Sequence, residues 1–279
     1  MYFKYILILC SLIIPSKIFA YSFDQKTSDK EITKFYDFSK MPNYLPHKYN
    51  TTKKAAVIEN GVLKLTLKPG MRGSSSDKKC QCKERAELGF KMPVNGTTYY
   101  SFKFRTDGDG KSNTRDENGD HVRTMIAQLK PKPNVGSPPM AVYLEKGGSV
   151  KCLEYEKNSA DTKSKRIKES QTANSSGVGS IKISGIKNTY RVDKIKRLLG
   201  IDLKDGNWHK IEMTYKPSNT DGYCKIVIDG RTILEKSGID NILAKKQLYI
   251  GPRIGIYRDS LSYSQTVYYD DLTIKFTPE

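Results

Sequence analysis

Apolar and polar residues alternate in short runs along most of this chain, and the runs end at Gly, Pro, Asn and Asp. A period of two is the signal of half-buried strands, and the 3.6-residue recurrence of an amphipathic helix is nearly absent. Val62 to Leu67 (VLKLTL) alternates cleanly and stops at Pro69-Gly70. Tyr99 to Arg105 (YYSFKFR) sends Tyr100, Phe102 and Phe104 to one face as core, and Tyr99, Ser101, Lys103 and Arg105 to the other. Strand-like runs follow at Val122 to Lys130, Met140 to Glu145, Val150 to Glu156, Trp208 to Lys216, Tyr223 to Asp229, Thr232 to Glu235, Gln247 to Ile250, Arg253 to Arg258 and Thr266 to Phe276. Asp229-Gly230 reads as a turn, and Ile195 to Leu199 as a short helix. Strands this numerous at short spacing predict an all-β chain folded as a sandwich or jelly roll of two antiparallel sheets.

Two stretches stand apart from that pattern. Residues 1–20 hold Lys4, an apolar run too short to span a bilayer, and Ser16 to Ala20 before a cleavage point, which reads as a secretory signal peptide. Lys157 to Ser180 has almost no large apolar residue and reads as a polar surface excursion. With no internal repeat, residues 21–279 are expected to form a single domain, secreted or periplasmic, monomeric and not inserted in a membrane.

Charge narrows the partners. The formal net charge is +18, falling to +16 once Lys4 and Lys17 leave with the signal peptide. A field of that size steers polyanions to the surface. For an exported chain the expected polyanion is an acidic polysaccharide. Nucleic acid is not expected, because no stacking motif or metal-carboxylate cluster is evident.

Four cysteines remain in the exported part: Cys80, Cys82, Cys152 and Cys224. An even count outside the cytoplasm points to disulfides. Cys80 and Cys82 are too close in an extended chain to pair comfortably, so each is expected to join Cys152 or Cys224. Asp116, Asn118 and Asp120 open like a calcium loop, but His121 and Ala127 stand where the turn glycine and bidentate Glu belong, so the motif fails.

The chemistry concentrates on strands. In Lys83 to Phe90 (KERAELGF), Arg85 and Glu87 share one face while Ala86, Leu88 and Phe90 take the other. Guanidinium binds carboxylate or sulfate through two parallel hydrogen bonds, so such a face suits an acidic ligand. Gln128 and Lys130 (IAQLK) form a second polar pair, and Arg253 and Tyr257 (RIGIYR, ending at Arg258) a third. In an antiparallel jelly roll these faces can line one concave groove.

The order RAEL, then IAQLK, then RIGIYR, followed by YYDDLTI, resembles the concanavalin-like jelly-roll polysaccharide lyases: the heparin lyase I-like and glucuronan lyase group and, more distantly, the alginate lyases of family 7. The likeness runs from about Val57 to Ile274. It implies that Arg85, Gln128, Arg253 and Tyr257 take the places of the family's arginine, glutamine, lysine and catalytic tyrosine. Lys130 stands where the family has a histidine, and Gly89 replaces a polar residue of the first motif. The resemblance also implies that an Asp near the last strand, Asp270 or Asp271, can help bind a structural calcium, with no cofactor required for the chemistry.

Eliminative cleavage explains why these types belong together. The C5 proton of a uronic acid is removable only if the neighbouring carboxylate is neutralised. Arg85, Glu87, Gln128, Arg253 and Arg258 are the expected substrate-binding residues. Tyr257 is the expected acid, and the base lies among Tyr257, Lys130 and a histidine, for which His121 is a candidate; His209 reads as a packing residue. The expected function is an exported lyase acting on a uronate-containing polysaccharide, with a non-catalytic lectin-like module of the same fold as the alternative. A glycoside hydrolase is disfavoured, since the E-x-D-x-x-E strand is absent.

Overall fold

The structure, a computed structural model, describes residues 32–36, 55–72, 78, 81–107, 122–132, 137–155, 186–242 and 249–279. Strands are numbered in chain order. One sheet contains β12 (Arg231–Ile239), β11 (Gly222–Ile228), β10 (His209–Lys216), β5 (Gly96–Thr106), β14 (Gln265–Pro278), β3 (Val62–Leu67) and β2 (Ala56–Glu59) in that order, with β1 (Ile32–Tyr36) on the second half of β14. The other runs β4 (Lys83–Gly89), β13 (Tyr249–Asp259), β6 (Thr124–Lys132), β7 (Met140–Tyr143), β8 (Ser149–Tyr155) and β9 (Ile186–Asp193). Every pairing is antiparallel. A short α-helix, α1, spans Ile195–Leu199. This is the predicted all-β jelly-roll sandwich.

Alternation builds the core as expected. Leu63, Leu65 and Leu67 of β3 point inward, as do Tyr100, Phe102 and Phe104 of β5 and Ile211, Met213 and Tyr215 of β10, all buried. Opposite them lie Ala86, Leu88, Ile254, Ile256, Leu129, Val142 and Val150 of the six-stranded sheet. Burying each large apolar side chain contributes about 1.5–3 kcal/mol.

One core side chain reaches across. Tyr269 of β14 donates its hydroxyl to the carbonyl of Ile126, 2.8 Å away, and accepts from the Gly255 amide at 3.0 Å. These groups lie where the β13–β6 ladder shifts register between Ile254 and Tyr257. Gly255 has φ of 134°, and a Cβ there would come within 2.2 Å of the Ala86 carbonyl oxygen. Only glycine passes. A tyrosine from one sheet therefore holds the irregularity that sets where Tyr257 sits on the other.

Three expectations change. The two runs Gln247 to Ile250 and Arg253 to Arg258 belong to one strand, β13, which continues through Pro252 because its carbonyl, not an amide, is what the neighbouring chain uses: the Phe90 amide donates to it at 2.9 Å. β9 was not read as a strand because it is an edge with little alternation in burial. Cys152 pairs with Cys224, not with Cys80 or Cys82, and ties β8 to β11 of the opposite sheet. Both cysteines face the core, which brings residues 72 positions apart together. A loop of that length corresponds to about 4 kcal/mol of chain-entropy stabilisation. Cys82 is also disulfide-bonded; Cys80, residues 1–20 with the expected signal peptide, and residues 157–180 lie outside the described residues. No helix of the described residues is long and apolar enough to cross a membrane.

Candidate active site

The ladders of the six-stranded sheet place side chains in rows on its outer face. One row passes from Gly89 on β4 to Arg253, Gln128, Ala141, Lys151 and Arg191 on β9. The next passes from Arg85 to Tyr257, Met125, Tyr143, Ser149 and Asp193. The three polar strand segments singled out in the sequence thus become neighbours.

Glu87 is the hub of the first group. Its Oε2 accepts from Arg85 Nη1 at 3.1 Å and from Arg253 Nη1 at 3.2 Å, and its Oε1 accepts from Gln128 Nε2. Glu87 is 2% exposed, so it positions these donors from beneath and does not itself face a ligand. Arg253 lies over Gly89, where a Cβ would stand 3.6 Å from its side chain. The Arg85 guanidinium stacks on the Tyr257 ring at 4.1 Å, and that of Arg123 lies 5.6 Å from the same ring. Such contacts contribute about 0.5–2 kcal/mol and fix the orientation of both partners.

The second group lies beyond the small residue Ala141. Lys151 Nζ stands 5.6 Å from the centre of the Tyr143 ring, and the Arg191 guanidinium 5.4 Å from it. Arg191 also donates to Ser149 Oγ at 3.1 Å and pairs with Asp193 at 2.5 Å and Glu145 at 3.4 Å. Burial, reinforced by the positive charges of Arg123, Arg191 and Lys130, lowers Lys151 from 10.5 to about 7, with Glu145 opposing. Burial pushes the Tyr143 hydroxyl up, so that it keeps its proton at neutral pH. Met125, Ala141, Tyr143 and Tyr257 pack together as a small apolar floor between the groups.

Lys151, Tyr143, Arg191 and Arg123 were missed in the sequence. The signal available was parity alone: Lys151 alternates with the core residues Val150 and Cys152 and so points outward.

The other expected site residues separate. Lys130 is half-buried, two positions beyond Gln128 on the same strand, and contributes to the field at Lys151. His121 lies outside the described residues. Arg258 is not on this face: it is fully buried on the core side, 2.8 Å from Glu84, because it shares the parity of Ile254 and Ile256. His209 is held in the other sheet by Asp229 at 2.7 Å and Asp205 at 3.1 Å. Asp270 and Asp271 sit at a bulge of β14 in that same sheet, where Asp271 pairs with Lys103 at 2.7 Å and its amide donates to Asp270. Calcium takes about six to eight oxygen ligands. Among the described residues no group of three or more acidic, His or Cys side chains forms there.

A jelly-roll sandwich thus carries arginine, glutamine, lysine and tyrosine side chains across the outer face of one sheet. The family model described as polysaccharide lyase matches residues 24–273, and the chain belongs to that family. It is a polysaccharide lyase. Among solved structures, an endo-β-1,4-glucuronan lyase from the fungus Trichoderma reesei is 14% identical with a TM-score of 0.50, covering 89% of each chain. A double-variant alginate lyase solved with an alginate tetrasaccharide is 13% identical over 87% of this chain and 96% of its own, with a TM-score of 0.49. The alginate lyase from Klebsiella pneumoniae is 11% identical over 80% and 85%, with a TM-score of 0.47. At 14% identity the likeness to the glucuronan lyase is one of fold. No curated protein matches the chain in sequence.

Proposed function

We propose that this lyase cleaves a uronate-containing acidic polysaccharide by β-elimination on the outer face of the six-stranded sheet. The observation that carries the reading is the pairing of a carboxylate-sized donor set, Arg85, Arg253 and Gln128, with a lysine of lowered pKa on the same face.

The donor set receives the uronate carboxylate, whose charge makes the C5 proton hard to remove until it is neutralised. Lys151, as the neutral amine, takes that proton. The electron pair left at C5 is delocalised onto the carboxylate and then forms the C4=C5 double bond as the C4–O4 bond breaks. Tyr257 gives its proton to the departing O4, which becomes a hydroxyl. Lys151 then releases its proton to solvent and Tyr257 regains one. No oxidant, water molecule or metal is consumed in this sequence. The Cys152–Cys224 disulfide supports an oxidising, extracytoplasmic compartment.

The test is absorbance of the unsaturated uronate, with glucuronan, alginate, heparin, chondroitin sulfate, hyaluronan and pectate offered in turn. One substrate should give product, and Tyr257→Phe and Lys151→Met should each lower the rate by about 10²–10⁴-fold. Lys130→Met should have a much smaller effect. Loss of activity in Lys130→Met with Lys151→Met unaffected would move the base to Lys130.

A further inference from the structure

The outer face of the other sheet carries a feature that the catalytic reading leaves unused. Register places Lys64, Tyr268 and Arg105 side by side on β3, β14 and β5, and Trp208 just before His209, which pairs with Phe104. The Arg105 guanidinium lies 4.0 Å from the Tyr268 ring and 5.3 Å from that of Trp208. Two aromatic rings thus bracket one planar cation. Trp208 is 41% exposed, and beside it is a hollow lined by Val62, Lys103, Lys210, Asp229 and Asp270.

Charge pairing on this face is uneven. Lys64 pairs with Glu59 at 2.9 Å, Lys103 with Asp271 at 2.7 Å and Lys210 with Glu212 at 3.1 Å. Asp229 accepts from the Lys210 amide and is bonded to His209, Asp270 accepts from the Asp271 amide, and Asp107 lies near Tyr268. Arg105 has no carboxylate partner among the described residues. The two rings lie against the guanidinium and leave its N–H edge for a planar anion.

We propose that Arg105, Trp208 and the adjoining hollow form a second carbohydrate-binding site, on the sheet opposite the active site, for an acidic sugar unit of a polysaccharide. The sugar carboxylate binds the Arg105 fork. The apolar C–H face of the ring lies on the Trp208 indole, and hydroxyls meet the open lone pairs of Asp229 and Asp270. Exposed indole suits this because it offers a large rigid apolar face at little entropic cost. A lyase holding its polymer at a site away from the chemistry stays on the chain between cuts. The inference rests on the acidic-polysaccharide reading only for the identity of the sugar.

Trp208 is the only tryptophan in the chain, so its emission reports this face alone. The experiment titrates the Arg253→Ala variant, disabled on the other sheet, with oligoglucuronate while following tryptophan fluorescence. A saturable change is expected, with affinity falling about tenfold or more in Arg105→Gln, partly kept in Arg105→Lys, and no response to a neutral cello-oligosaccharide of equal length. Circular dichroism confirms that each variant is folded. Absence of a saturable change, full affinity in folded Arg105→Gln, or an equal response to the neutral sugar overturns the proposal. Unsaturated product from the wild type without a fluorescence response sinks the second site alone. Fluorescence binding with no cleavage of any uronate polymer sinks the catalytic reading alone.

Discussion

β4 and β13 build two arginine–glutamate assemblies from alternate positions of the same ladder, and the two have opposite fates. On the core side, Glu84 and Arg258 lie 2.8 Å apart, Glu84 also accepts from the Gly70 amide at 2.6 Å, and Arg258 donates to the Tyr263 carbonyl at 2.7 Å. Burial pulls the Arg258 guanidinium below its ordinary value while Glu84 opposes that pull. On the outer side, one carboxylate, Glu87, is shared among Arg85, Arg253 and Gln128. The first assembly is closed and satisfied from every side. The second gathers three donors on one carboxylate at the face where the proposed uronate would bind. The same chemical pair is a structural pin on the core side and part of the proposed site on the outer side.

Glu84→Ala should be the most damaging change to stability, at about 3–5 kcal/mol, because it leaves the charge of Arg258 buried and uncompensated. Denaturant unfolding measures this, and the activity of the folded fraction should be unchanged. Replacing Glu84 and Arg258 together by Leu and Met should recover most of the loss. If the double variant folds but no longer cleaves, the core pair has a part in the site and the contrast fails.

Arg253→Ala should show the reverse. Its kcat/KM should fall by about 10²–10³-fold, with a smaller loss of stability than Glu84→Ala, because Glu87 keeps Arg85 and Gln128 as partners. Glu87→Gln keeps the shape of the hub and removes its charge, so a loss of about tenfold is expected. That loss should lie mainly in KM if the hub only orients the donors, since the proton-transfer groups are untouched.

The smallest effect is on pH dependence. In the proposed mechanism Lys151 acts as the neutral amine, so kcat/KM should rise as pH passes about 7 and level off above it. Arg191→Ala removes one of the positive charges that depress this lysine and should move the rising limb to higher pH. Stability carries the matching sign. The unfolded chain binds the Lys151 proton up to its ordinary 10.5 and the folded chain only up to about 7, so stability rises with pH between those values. In Lys151→Met that part of the slope should vanish.

Period-two alternation revealed most of the fold, since β3, β5, β10 and β14 have one clean apolar face each. It also contained the answer for Arg258, which shares parity with Ile254 and Ile256. An arginine ending a strand reads as reaching solvent because its counter-ion, Glu84, is 174 positions away. Arg85, Gln128 and Arg253 were legible because they lie in ordered motifs. Lys151 was not: its pKa is set by burial and by Arg123, Lys130 and Arg191, which stand near it only after β6, β8 and β9 are assembled. Trp208 and Arg105 likewise meet only through the β5–β10 register.

The Cys152–Cys224 bridge follows directly after Lys151 in the chain. Recombinant production therefore bears on the chemistry as well as on yield. A host with a reducing cytoplasm would leave β8 untied from the opposite sheet, and the strand that loosens is the one that carries Lys151, the proposed base. Material purified that way should keep its circular-dichroism spectrum better than its activity, and a silent assay on such a preparation would be a statement about thiols before it was one about substrate.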